Sequence, residues 1–450
     1  MKWNGIFFGA TLLGTALLIT PPLAQAVRPP LDTNVIYKLE TMLERENLWA
    51  ITTNNIGPVV KDGGFTWGDA EKTTVRGGIK ILIQFHGLRI WEVLVRFESN
   101  HVGRVEAFFY NRGDAGYLNE AEFKAQLTKV TTVLSNWTGT AAAPLPDVDG
   151  PLRTKIQRCM WTRGPTRLEL EWSVTKPHVQ NGQRVEYRSE FIRLKVLPLA
   201  ATTNATARPV VGRPAPPSGR TAAELKKRLR TAENGDIYVG EVPMVDQGEK
   251  GFCSAAVMAR VMGYFGLDFD MHQAAQLANT KTSGGTERSS IVDALKRISL
   301  KNSMRLLIIE ELDFQRLIAD YNRAAQTAKK EKVKLEHDLG NVFDAMDGEL
   351  VKQVRTKRQS ELNKFKNDVV KNIDLGIPLV WSVTIGWVKE EFILPQTKGG
   401  HTRMIIGYNK QTDEILYTDS WGPRHALKRM PAPDAWTITK GLYVVKPNSL

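Results

Sequence analysis

The chain is 450 residues long, with 42% hydrophobic and 24% charged side chains, the proportions of a globular protein rather than a disordered or collagen-like one. Its two cysteines exclude a disulfide-built scaffold. A formal net charge of +13 can draw it to an anionic surface, but there is no zinc-finger spacing, aromatic-glycine strand motif or helix-turn-helix pattern, so no nucleic acid is expected as a partner.

At the amino end, Lys2 precedes an apolar run from Ile6 to Ile19 and then Ala24-Gln25-Ala26, with small residues where a signal peptidase reads. Residues 1–26 are expected to be a cleaved signal peptide. The apolar run, about 14 residues, falls short of the roughly 20 that span a bilayer. The mature protein, from Val27, is expected to be secreted or periplasmic with no stable membrane insertion.

About 420 mature residues exceed what one core usually organises, so two domains are expected. The first, 27–199, reads as a helix over Asp32 to Leu48 and extended runs at Ile79–Ile83, Trp91–Phe97 and Val105–Tyr110. A helix from Asn119 to Leu134 follows, then strands at Lys155–Trp161, Arg167–Val174 and Arg184–Val196. Helix and strands in two rounds predict an α+β domain with the pattern of a duplicated unit. His86 and His101 lack metal-ligand spacing, and Cys159 reads as a buried thiol, since pairing it with Cys253 would block the latter. The domain is open to three roles: prosegment, binding module or brace.

Residues 200–235, rich in Pro, Ala and Arg, read as an exposed linker. Within it, Thr221 to Arg230 predicts a short basic helix whose Lys-Arg steps proteases can reach, and cleavage there would separate the halves.

The second domain, 236–450, carries the chemistry. Gln247 and Cys253 stand six residues apart, and Cys253 opens an apolar helix ending at Gly266. A cysteine at a helix N-terminus gains from the helix dipole, and two donors, the Gln247 amide and the Cys253 backbone N–H, can meet a developing oxyanion. About 150 residues later His401 follows Gly399-Gly400 into a strand. A hairpin around Asn409 to Asp413 then delivers Asp419-Ser420-Trp421-Gly422. An imidazole beside a thiol stabilises the ion pair, a carboxylate holds the ring, and Trp421 would shield that bond from water. His272, His337 and His425 receive no role, and neither metal nor organic cofactor is implied.

This ordered set resembles the papain fold. Val242-Pro243-Met244-Val245-Asp246-Gln247, Cys253-Ser254-Ala255-Ala256, the run Gly376 to Val383, Gly400-His401 and Ile405-Ile406-Gly407-Tyr408 are similar to its bacterial branch, related to the double-glycine leader, bacteriocin-processing peptidases, over about residues 240–446. The resemblance implies an α+β fold, with the Cys-bearing helix packed on an antiparallel sheet carrying His and Asp. It implies Gln247 as oxyanion donor, Cys253 as nucleophile, His401 as base and Asp419 as orienting residue. Asp in place of Asn at the third position is usual in that branch. The sequence departs from the family in a charged helical insertion at about 310–375, with one apolar face formed by Leu335, Leu339, Val342, Met346 and Leu350 and another by Leu362, Phe365, Val369 and Ile373. That stretch is either a hairpin packed on the domain or a lid or partner-binding arm over the cleft.

The expected function is an exported cysteine peptidase acting on a protein or peptide substrate through a Cys253 acyl-enzyme at peptide or isopeptide bonds. A non-catalytic binding or adhesion protein on the same fold, and a Cys-His-Asp acyltransferase or transglutaminase, stay open.

Overall fold

Period-two alternation sorts the side chains of the first half onto two faces of one sheet. Val93, Val95 and Phe97, with Leu168, Leu170, Ile192, Leu194 and Val196, join an apolar core. Their strand neighbours Glu92, Arg96, Glu169, Glu171, Arg193 and Lys195 carry charge to the other face. In this computed structural model, residues 32–450 are described except 70, 79–80, 150–154, 181–182, 200–219, 249, 282–284, 336–338 and 392–393. The predicted signal segment, most of the predicted linker and His337 lie outside the described residues.

The sheet has eight antiparallel strands in the order Thr66–Trp67, Thr74–Gly77, Glu92–Glu98, His101–Asn111, Arg188–Pro198, Thr166–Thr175, Lys155–Arg163 and Ala143–Asp149. Pairing of His101–Asn111 with Arg188–Pro198 joins the two four-strand groups edge to edge, so the two rounds of strands lie within one continuous sheet. The Glu120–Thr138 helix covers the apolar face with Phe123, Val130 and Leu134, and its start is fixed by an Asn119–Glu122 capping box.

The helix expected over Asp32–Leu48 is not formed. Asp32–Lys38 is a strand, parallel to Ile81–Phe85, and only Glu40–Leu43 and a 3-10 turn at Leu48–Ala50 are helical. The Val35-Ile36-Tyr37 run favours a strand, and a partner more than forty residues away supplies the backbone hydrogen bonds that decide it.

The second half is built on a mixed-length antiparallel sheet in the order Leu229–Thr231, Asp236–Val239, Gly399–Asn409, Leu379–Ile385, Thr439–Pro447 and Met304–Glu311. Glu414–Thr418 also pairs with the Gly399–Asn409 strand, and Lys428–Pro431 pairs in turn with it. The Cys253–Tyr264 helix packs on the strand that carries His401, and ten of its twelve residues are buried, which is why it reads apolar on every side. The order of these elements is the α+β arrangement expected, with a separate, β-rich first half.

Two boundaries differ from expectation. Residues 220–235 belong to the second half: Arg220 donates to the carbonyls of Phe265 (3.0 Å) and Asn302 (2.8 Å), Leu225 is fully buried in its core, and Leu229–Thr231 adds a strand to its sheet. A basic composition masked this because one buried leucine and one backbone ladder suffice to dock a short segment. The charged insertion begins in a strand, Met304–Glu311, and continues as four helices, Phe314–Thr327, Leu339–Asp344, Gly348–Thr356 and Gln359–Ile373. Its faces are core: Val342, Met346, Leu350, Leu362, Phe365, Val369 and Ile373 are buried with the rest of the domain, while Leu335 alone of the predicted set is exposed. Among the described residues no helix is long and apolar enough to cross a membrane.

The charged face of the first sheet is only partly open to solvent, with Glu92, Glu171 and Arg193 buried and Arg96 and Lys195 half-buried. It lies against the second half, where Arg193 pairs with Asp270 at 2.9 Å, Ser173 donates to Gln276 at 3.0 Å and the Arg112 guanidinium reaches the carbonyl of Thr280 at 2.6 Å. Phe108 packs on His272 with ring centres 4.4 Å apart.

Candidate active site

Cys253 is the first residue of its helix, half-buried, and no side chain caps that end, so the first-turn N–H groups stay available. His401 enters from the neighbouring strand, fully buried at its side chain, and commits Nε2 to Asp419 Oδ1 at 2.5 Å. With Nε2 engaged, Nδ1 is the nitrogen left for the thiol. It is buried and lies close enough to Cys253 that both a hydrogen bond and a charge interaction with the thiol shift the two groups.

The titration of the pair follows from these contacts. Burial alone pushes the Cys253 thiol up, but the His401 imidazole, the Thr402 backbone and the Ser254 hydroxyl overcome it and bring the pKa down to about 7. Burial disfavours a charged His401, yet Asp419 raises its pKa above the ordinary value. Both shifts favour the thiolate–imidazolium form. Cys159, by contrast, lies unpaired in the Lys155–Arg163 strand, and burial pushes its thiol up to about 11.

Asp419 can remain ionised at zero exposure because cations surround it. Burial would raise its pKa, but Arg403, whose Nε lies 3.1 Å from Oδ2, together with His401 and Lys428 at 3.2 Å, holds it well below the usual carboxylate range. Glu390 balances the two cations, at 2.8 Å from Arg403 and 3.4 Å from Lys428, and accepts from Tyr417 at 2.6 Å. Arg260, one turn from the end of the Cys253 helix, donates to the carbonyls of Pro243 and Asp419 and to the Thr418 hydroxyl, tying the helix to both flanking segments.

Gln247 is also buried. Its backbone N–H donates to Ser420 O at 2.8 Å, Ser420 Oγ donates to Oε1 at 2.6 Å, and Nε2 donates to Lys250 O at 3.0 Å. A carbonyl can only accept, so the amide orientation is set by Lys250, and one Nε2–H remains uncommitted. Trp421 stacks on His401 with ring centres 4.2 Å apart and planes within 8°, and His425 meets Trp421 edge-on at 5.7 Å.

The structure therefore brings Gln247, Cys253, His401, Asp419 and Trp421 together. It adds residues the sequence reading passed over. Arg403 stands two after His401 on one strand, hence on the same face, a signal that was present. Lys428, Glu390 and Lys250 carried none, because their partners are set by long-range packing. Among the described residues no cluster of three or more His, Cys, Asp or Glu side chains is placed to hold a metal ion.

Residues 239–444 match the Peptidase_C39 like family. No curated protein matches the chain. Among solved structures it is similar to xylellain, a cysteine protease from Xylella fastidiosa, at 12% identity over 50% of this chain and 88% of that one, with a TM-score of 0.26.

Proposed function

We propose, from the match of residues 239–444 to the Peptidase_C39 like family, that the chain is an exported cysteine peptidase that cleaves peptide or isopeptide bonds through an acyl-enzyme on Cys253. The observation that carries this reading is a half-buried thiol brought down to about 7 beside an imidazole that a buried carboxylate orients.

In the first half-reaction the Cys253 thiolate attacks the substrate carbonyl carbon. The oxyanion is met by the free Nε2–H of Gln247 and by the Cys253 backbone N–H, and a donor of this kind is worth about 100- to 1,000-fold in rate. His401, protonated at Nδ1, gives that proton to the leaving amine as the C–N bond breaks. In the second half-reaction neutral His401 takes a proton from water, the hydroxide attacks the thioester, and the acid product leaves with the thiolate restored. Asp419 keeps Nε2–H as the donor throughout, so the lone pair of the neutral ring is always on Nδ1.

Labelling of the full chain with an epoxysuccinyl thiol probe at neutral pH, followed by peptide mass spectrometry, tests the site. Modification confined to Cys253 and lost in His401→Ala supports it; no faster labelling of Cys253 than of Cys159 favours a binding protein on a retired site. Product that forms from a peptide donor only when a primary amine is added would instead assign an acyltransferase. Export belongs to the same proposal: mature protein isolated outside the cytoplasm should begin at Val27, and an intact Met1 would remove that part.

A further inference from the structure

The loop between the oxyanion donor and the nucleophile is held from outside its own domain. The Lys250 side chain is completely buried, and its ammonium lies 2.9 Å from Glu92 Oε2 and 3.0 Å from Asp114 Oδ2, both in the first half. The same lysine's carbonyl is the acceptor that aims Gln247 Nε2. Upstream, Arg76 of the first half pairs with Glu92 at 2.8 Å and reaches Asp246, through its carboxylate and its carbonyl at 3.3 Å each. Downstream, Phe252 and the Lys250 stem pack so closely on Gly113 that a Cβ there would come within 2.8 Å of the Phe252 ring and 2.9 Å of Lys250 Cδ. Gly248, at φ +64°, turns the chain where a side chain would meet the Arg76 guanidinium at 2.7 Å.

Asp246, Lys250 and Phe252 are thus gripped by first-half groups before, within and after the turn, while Ser420 holds Gln247 from the second half. We propose that the first half is a brace for the oxyanion hole, and that Lys250, through its ion pairs to Glu92 and Asp114, is the positioning residue that sets the direction of the Gln247 amide. The inference rests on the peptidase reading above. Without the anchor, the Lys250 carbonyl loses its fixed place, the Gln247 amide swings on its remaining bonds, and one oxyanion donor is lost from the transition state. Neither His401 nor Asp419 touches this network, so thiolate formation is untouched.

That separation gives the test. Two reactions of the full chain are compared: turnover of benzyloxycarbonylglycine p-nitrophenyl ester, which passes through an oxyanion, and alkylation of Cys253 by iodoacetamide, which does not. Lys250→Met should lower kcat for the ester about 10- to 100-fold, with KM changed less than threefold and the alkylation rate within twofold of wild type. In a Gln247→Ala background Lys250→Met should add less than a twofold loss, because both changes remove the same donor. If loss of the ammonium between Glu92 and Asp114 prevents Lys250→Met from folding, Lys250→Met/Glu92→Gln, which also removes the Glu92 charge, should show the same split. Undiminished ester turnover, an equal fall in alkylation, or full additivity with Gln247→Ala would each overturn the brace. A wild type inert in both reactions would instead sink the peptidase reading and the brace with it.

Discussion

Two buried charge clusters flank the Cys253 helix, and they differ in where their residues come from. Around Asp419 the charges of Arg403, Lys428 and Glu390 lie within 39 residues of one another in the chain and within one sheet and its loops. Around Lys250 the charges of Glu92, Arg76 and Asp114 come from another domain, 136 to 174 residues away. The first cluster tunes a base; the second holds a loop. A local cluster survives as long as its own sheet folds, whereas the second exists only when two domains have docked, so oxyanion stabilisation is tied to assembly and thiol activation is not.

The largest expected effect that would break this division lies in the base. His401→Ala should slow iodoacetamide alkylation of Cys253 at pH 7 by about 100-fold or more, while Glu92→Gln leaves it within twofold; a comparable loss in Glu92→Gln would merge the clusters into one. Next comes stability. Arg403→Met leaves the buried carboxylates of Asp419 and Glu390 to share Lys428 as their remaining cationic side chain besides His401, and removing one partner of a buried ion pair typically costs about 3–5 kcal/mol, to be read from urea unfolding of the full chain.

A pH profile sharpens the contrast further. With its pKa brought down to about 7, Cys253 should gain alkylation rate as pH rises through about 7 rather than near the ordinary thiol value of about 8.5. The linked stability follows the same sign: the thiolate's contribution is present above the unfolded thiol pKa and is lost as pH falls through about 7. His401 acts in the opposite sense. Its pKa is raised on folding, so its contribution is full below about 6.5 and fades as pH rises through the folded value. Lys250→Met should leave the midpoint of the alkylation profile unmoved, and a shift would mean that the brace reaches the thiol. The smallest effect is expected from Trp421→Leu, which loses a stacked ring worth about 1 kcal/mol and should lower turnover about fivefold, with the alkylation rate falling in step because the ring lies on His401.

The placement of the candidate site was legible in the sequence because each element of it is local: a cysteine before an apolar helix, a histidine at a strand entrance, a hairpin that returns an aspartate. Gln247, Cys253, His401 and Asp419 could be ordered from spacing and type alone. The brace was hidden for the opposite reason. Glu92, Glu171 and Arg193 alternate with apolar neighbours in the manner of a solvated strand face, yet all three are buried and Glu92 and Arg193 pair with the other half, and no periodicity distinguishes a charged face turned to water from one turned to a partner. The same blindness to distant partners made a helix of Asp32–Lys38 and a linker of residues 220–235. In each case a non-local strand pairing, or a single buried leucine, decided what local composition left undetermined.

Arg220 docks the start of the second half, and Lys250, Arg193 and Arg76 form ion pairs between the two halves. A protease acting within residues 200–219 would therefore yield two polypeptides that still travel as one particle. Maturation of that kind would pass unseen on a gel-filtration column and show itself only as two bands under denaturing conditions, with the active site keeping its borrowed support after the peptide link is gone.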